Sequence, residues 1–202
     1  MKASIKNIEL MKIGGVGDNH YGGNQEWYST RWKRGAGCGP TVVTGIVSYM
    51  LRSETGCAIN HPEFLAMMED VWEFVTPTMY GLPTTEHLTE RIEKYIAARG
   101  FPSGVRGFEI SENIPERHSF NAAVEFIIPA LAEDIPVAFL CLDNAGETAL
   151  DDWHWTTLVS LDATDNATAP AMIIDSGRLF EIDLRRWYHG TAKGGGFAAM
   201  IR

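Results

Sequence analysis

The sequence predicts an α+β protein whose helices and strands are segregated along the chain. Three observations carry that expectation. Apolar residues recur at helical spacing through much of the stretch from about 38 to 133. From about 136 onward, short β-branched and aromatic runs alternate with turn residues. No Pro/Gly/Ser-rich linker, internal repeat or low-complexity tract divides the 202 residues. One domain over 1–202 follows, with a helical lobe at about 38–133 and a β-sheet lobe at about 136–202.

Residues 1–37 are rich in glycine, asparagine and aromatics and read mostly as loop. The first helix is expected at about 39–53, with Val42, Val43, Ile46, Val47, Met50 and Leu51 on its apolar face and Gly56 as its stop. Pro40 suits its first turn, where a missing N–H costs nothing. A second helix, about 61–75, has Asn60 as N-cap, Pro62 in its first turn and Glu63 at the capping-box position. Phe64, Met68, Val71, Trp72 and Val75 form its buried stripe. A third follows Pro83 with Thr84 or Thr85 as cap, buries Leu88, Ile92, Tyr95 and Ile96, and ends at Gly100. A short strand over 104–110 precedes a helix at about 119–133 that kinks near Pro129. Strands are then expected at 136–142, 153–161, 171–175, 178–182 and 196–201, with a helical turn from Asp183 to Tyr188. Gly194-Gly195-Gly196 reads as a flexible turn; it lacks the Lys-Ser/Thr and helix of a phosphate loop.

Composition narrows the function. Hydrophobic residues make up 45% and charged residues 21%, as in ordinary soluble domains. The net charge of −9, without a basic stripe, argues against nucleic-acid binding. No apolar run is long enough to span a bilayer, so no membrane partner is expected. The first ten residues hold no signal-peptide core. Cys38, Cys57 and Cys141 are an odd, widely spaced set with no Cys-x-x-Cys pair, which suggests neither zinc nor a redox dithiol. This usage fits a reducing cytoplasm. Cys141 reads as a small buried hydrophobe and Cys57 as inert.

Chemistry concentrates at Gly35-Ala36-Gly37-Cys38-Gly39-Pro40. Cys38 heads a buried helix, whose dipole and free N–H groups favour a thiolate. Arg31, Lys33 and Arg34 precede it, either as a solvated loop or as cations that lower a thiol pKa. His154 opens the strand Trp153-His154-Trp155-Thr156-Thr157, with both tryptophans expected on the face opposite the histidine. If that strand pairs with the next, Asp175 approaches His154 and orients its imidazole. Asp175-Ser176-Gly177 also has the makings of a turn. Asp162 competes for the role but reads as a turn residue, and Asp151 and Asp152 lie too close in sequence to bridge back easily. Of the other histidines, only His20, in the N-terminal loop, is a candidate to line the cleft.

The motif Cys38-Gly39-Pro40-Thr41, the downstream His154 at a strand head and Asp175 after the next strand together resemble the papain-like cysteine peptidases. Within them the chain is most similar to the bacteriocin leader peptidase-like, double-glycine peptidase-like branch. The resemblance covers roughly residues 20 to 202, and its most specific element is the Cys-Gly-Pro helix start. It implies a cysteine-helix packed on an antiparallel sheet that carries the histidine. It implies a peptide or amide substrate, a Cys38–His154–Asp175 triad, a thioester acyl-enzyme, and no metal or cofactor. The family also carries an oxyanion-binding glutamine a few residues before the cysteine. Six positions before Cys38 this chain has Trp32, and Gln25 further upstream is the candidate for that role. The alternatives are an acyltransferase or amidase acting on a small molecule, in a closed pocket, and a non-catalytic peptide-binding domain of the same fold.

Overall fold

The computed structural model describes residues 1–17, 19–101 and 104–201; Arg202, the end of the expected sheet lobe, lies outside them. The order of elements is β1 (Lys2–Ser4), α1 (Arg31–Ala36), α2 (Cys38–Thr55), α3 (His61–Trp72), α4 (Thr85–Arg99), β2 (Gly104–Ile110) and α5 (Phe120–Ala132). Then come β3 (Val137–Cys141), β4 (His154–Asp162), β5 (Pro170–Asp175), β6 (Arg178–Asp183), α6 (Leu184–Gly190) and β7 (Gly195–Ile201). The strands form one seven-stranded antiparallel sheet in the order β2-β7-β3-β4-β5-β6, with β1 also paired to β4. The α+β expectation holds.

Local signals set most boundaries. α2 ends where Gly56 takes a left-handed φ of 68° and its N–H closes on Arg52 O. Asn60 and Glu63 form the expected capping box of α3, which stops at Trp72, three residues short of the predicted end. Thr84 caps α4, Gly100 ends it, and Pro129 lies inside α5. α2 is buried along nearly its whole length because it packs against the sheet while α3 lies on it. The core joins its Val43, Ile46 and Val47 to Phe139, Leu158, Ile173 and Phe197 of the strands.

The described residues before Cys38 hold more regular structure than the sequence suggested. β1 pairs Lys2, Ala3 and Ser4 with Asp162, Leu161 and Ser160. α1 starts at Thr30, whose side chain accepts from Lys33 N. Its cations are structural partners: Lys33 pairs with Glu69, and Arg34 Nη1 donates to the carbonyls of Tyr28 and Ser29. Gly37 joins α1 to α2 because a Cβ there would lie 2.4 Å from Lys33 O and 2.7 Å from the Tyr28 ring. Gly194-Gly195-Gly196 is not a loose turn, since the last two of these glycines already belong to β7. A Cβ on Gly194 would fall 2.0 Å from Ile110 O, and three N–H or O–H groups of Thr191, Ala192 and Lys193 donate to Asp143.

Candidate active site

Cys38 is the first residue of α2, so the positive end of a long buried helix lies at its sulfur. A Cβ on the next residue, Gly39, would lie 2.8 Å from Leu82 Cδ1 and 3.6 Å from the Trp155 ring. Side chains from the sheet and from the loop before α4 therefore press directly on the helix start.

Strand register brings the other two groups together. Thr157 of β4 faces Ile174 of β5. One step further, Asp175 stands across from Thr156, and His154 is its diagonal neighbour on the same face. The His154 Nε2–Asp175 Oδ1 distance is 2.9 Å, and Ser176 Oγ donates to the same carboxylate oxygen at 3.1 Å. Asp175 is only 9% exposed. Ser176 and Gly177, with φ of 49° and 84°, make the two-residue turn of the β5–β6 hairpin, so Asp175 is both the last residue of its strand and the histidine's partner.

Nε2 is engaged by Asp175, which leaves Nδ1 to meet the thiol. Burial pulls the imidazole pKa down, but hydrogen bonding to the Asp175 carboxylate and to Cys38 outweighs it and raises the pKa to about 10. The ring is thus held as imidazolium between a carboxylate and a sulfur. By contrast, burial pushes the Cys141 thiol up to about 12, as expected of a structural cysteine, and Cys57 is exposed at the end of α2.

Two spaces meet at Cys38. A void of about 20 Å³, room for one water, is lined by Gln25, Gly23, Cys38, His154 and Asp175. Gln25 therefore reaches the cleft although it lies well upstream, because α1 is inserted between it and Cys38. Its Nε2 donates to Arg34 O at 2.8 Å, which fixes the side chain and leaves one N–H free. A second space, a cleft of about 240 Å³, is lined by Cys38, Trp32, Met79, Tyr80, Trp153 and Trp155 among others, none of them charged. Trp32, Met79, Tyr80 and Trp153 are half-exposed or more at its rim.

Two expectations need correction. Trp153 is not in the strand and does not share a face with Trp155: its φ is 57°, it is 57% exposed, and Lys193 Nζ sits 5.3 Å above its ring. Trp155 is instead buried, and its Nε1 donates to Leu82 O at 2.7 Å. Asp151 makes no ion pair with His154 among the described residues but comes near it. The reversal at Trp153 brings a donor atom of Asp151 within 4.8 Å of donors of His154 and Asp175. His20 does not line the void or cleft at Cys38; it stacks on Trp27 and packs over Gly177. Asp162 lies at the far end of β4, where Lys2 and Thr164 hold its carboxyl down at about 2. The cleft loop at residues 78–83 went unread because a Thr78–Gly81 bridge gives no periodic signal; two exposed large apolar residues in sequence, Met79 and Tyr80, were the available cue.

No helix among the described residues is long and apolar enough to cross a membrane. No family model and no curated protein matches this sequence.

Proposed function

We propose that the chain is a cysteine-dependent hydrolase of papain-like fold, cleaving a peptide or amide bond with Cys38, His154 and Asp175. The carrying observation is the convergence of a helix-start cysteine on an imidazole held at 2.9 Å by a buried carboxylate. In this reading Cys38 attacks the carbonyl carbon as the thiolate. The backbone N–H of Cys38 and the free N–H of Gln25 stabilise the oxyanion. The C–N bond then breaks and Nδ1 of His154 protonates the departing amine, leaving a thioester. Neutral His154 next takes a proton from water, whose hydroxyl releases the acyl group and restores the thiolate–imidazolium pair. Asp175 keeps the ring in the orientation both steps need.

The cleft favours a peptide over a small molecule. At about 240 Å³ it is smaller than pockets that enclose a whole ligand, roughly 300–1,000 Å³, and its rim is exposed. A large apolar residue of a longer chain fits it, with the backbone running past Cys38. Neither charge nor segment argues for a nucleic-acid or membrane partner, and the cytoplasm suits a free thiolate.

The test is the pH dependence of iodoacetamide alkylation at Cys38, located by mass spectrometry, in wild type and His154→Ala. Fast alkylation that persists well below the ordinary thiol range of about 8.5, and is lost in the variant, is the expected result. An ordinary thiol profile unchanged by the substitution sinks the hydrolase and leaves a peptide-binding domain.

A further inference from the structure

Asp151 has no role in the scheme above, yet it is the third ionisable group at the dyad. Its donor atom, one of His154 and one of Asp175 all lie within 4.8 Å of one another. The acidic residues of the neighbouring loops are taken up: Asp143 by the N–H groups of Ala192 and Lys193, and Asp152 by Asn144 N. Asp151 makes no hydrogen bond or ion pair among the described residues, and it is exposed. Two carboxylates, one of them without a partner, therefore flank a single imidazole. One histidine nitrogen and two carboxylates suit a first-row transition ion rather than magnesium or calcium, which prefer all-oxygen shells.

The geometry points to a regulatory zinc site formed by Asp151, His154 Nε2 and Asp175. Tetrahedral donors at bonds of about 2.0–2.2 Å stand roughly 3.3–3.6 Å apart. His154 Nε2 and Asp175 Oδ1 need to separate by only a few tenths of an ångström from 2.9 Å, while the exposed Asp151 closes the third side. Zinc takes the Nε2 lone pair and the imidazolium proton goes to solvent. The ring keeps its hydrogen on Nδ1, but a neutral zinc-bound imidazole is a far weaker acid than imidazolium and does not deliver that proton to the departing amine. Bound metal thus switches off proton delivery without touching the sulfur. The switching consequence rests on the hydrolase reading; the binding does not.

The test titrates Zn²⁺, with Co²⁺ as spectroscopic probe, into wild type, Asp151→Asn and Cys38→Ala, measuring stoichiometry and affinity by calorimetry. Expected are one ion per chain, at least about tenfold weaker binding in Asp151→Asn, retained binding in Cys38→Ala, and a Co²⁺ spectrum without a thiolate charge-transfer band. In parallel, Cys38 alkylation in wild type stays fast with zinc bound, because Nδ1–H still faces the sulfur, and zinc that slows it is zinc held by the thiol. No binding, equal affinity in Asp151→Asn, or a thiolate band with loss in Cys38→Ala overturns the site. The last of these means capture by the thiol–imidazole pair instead. Asp151-dependent binding with the slow alkylation of an ordinary thiol upholds the site and overturns the hydrolase, so the two failures are separable.

Discussion

At the scale of single residues, His154 sets the charge balance of the cleft. Its pKa is raised from an ordinary value near 6.5 to about 10, so the pairing with Asp175 stabilises the fold fully below about pH 6.5. That contribution is lost as pH rises through 10. Asp175→Asn should therefore cost on the order of 2 kcal/mol near pH 6, the worth of a buried charge-assisted hydrogen bond, and much less above pH 10. Urea unfolding of both proteins at the two pH values checks this, and a pH-independent penalty refutes it. Cys38 and His154 were legible because each sits at a signal that is local: a glycine-flanked helix start and the head of a β-branched strand. Asp175 needed only the guess that consecutive strands pair. Asp151 was unreadable, since nothing in the sequence says that a tryptophan will adopt a left-handed φ.

At the scale of elements, the α1–α2 junction decides where the sulfur lies. Gly37→Ala puts a methyl group 2.4 Å from the Lys33 carbonyl, a backbone atom that cannot swing away. A loss of about 1–3 kcal/mol is expected, together with slower Cys38 alkylation as the helix start shifts. Gly35→Ala, two residues earlier on α1, meets nothing within 4 Å and should stabilise by about 0.5–1 kcal/mol through helix propensity. Thermal unfolding and alkylation of the pair separate sterics from composition; equal behaviour would refute the role given to Gly37. The elements the sequence missed are those without periodicity. α1 reads Arg-Trp-Lys-Arg-Gly-Ala, with no apolar stripe, and β1 is three residues long. The elements it revealed, α2 to α5 and β2 to β7, carry caps, glycine stops or β-branched runs that act over a few residues.

At the scale of the whole molecule, α2 ties the cleft to the opposite end of the protein. Tyr49, eleven residues after Cys38 and so about 16 Å along the helix, donates to Asp134 Oδ1 at 2.6 Å. The same buried carboxylate oxygen accepts from Lys6 N at 2.7 Å, and Asn7 N donates to the Tyr49 hydroxyl. One knot thus fastens the N-terminal segment, the cysteine helix and the end of α5. Tyr49→Phe leaves Asp134 short of a donor and Asn7 N short of an acceptor, at a cost of about 1–3 kcal/mol. Chemical denaturation should show that loss while Cys38 alkylation in native buffer is unchanged; altered alkylation would mean the knot also sets the site. Such long-range ties are invisible to a reading of neighbours, because Tyr49 and Asp134 lie 85 residues apart.

The pairing of β1 with the far end of β4 has a consequence for how the protein is born. The ribosome delivers Lys2 first and its partner Asp162 some 160 residues later. The same interval separates chemistry: Cys38 emerges 137 residues ahead of Asp175. At translation rates of about 5–20 residues per second, that is a wait of roughly 7–27 s. For the first 116 residues of it His154 has not been made, and until its end Asp175 has not. On the proposed reading a half-made chain carries an unactivated thiol, and reactivity arrives only when the last hairpin of the site has been made.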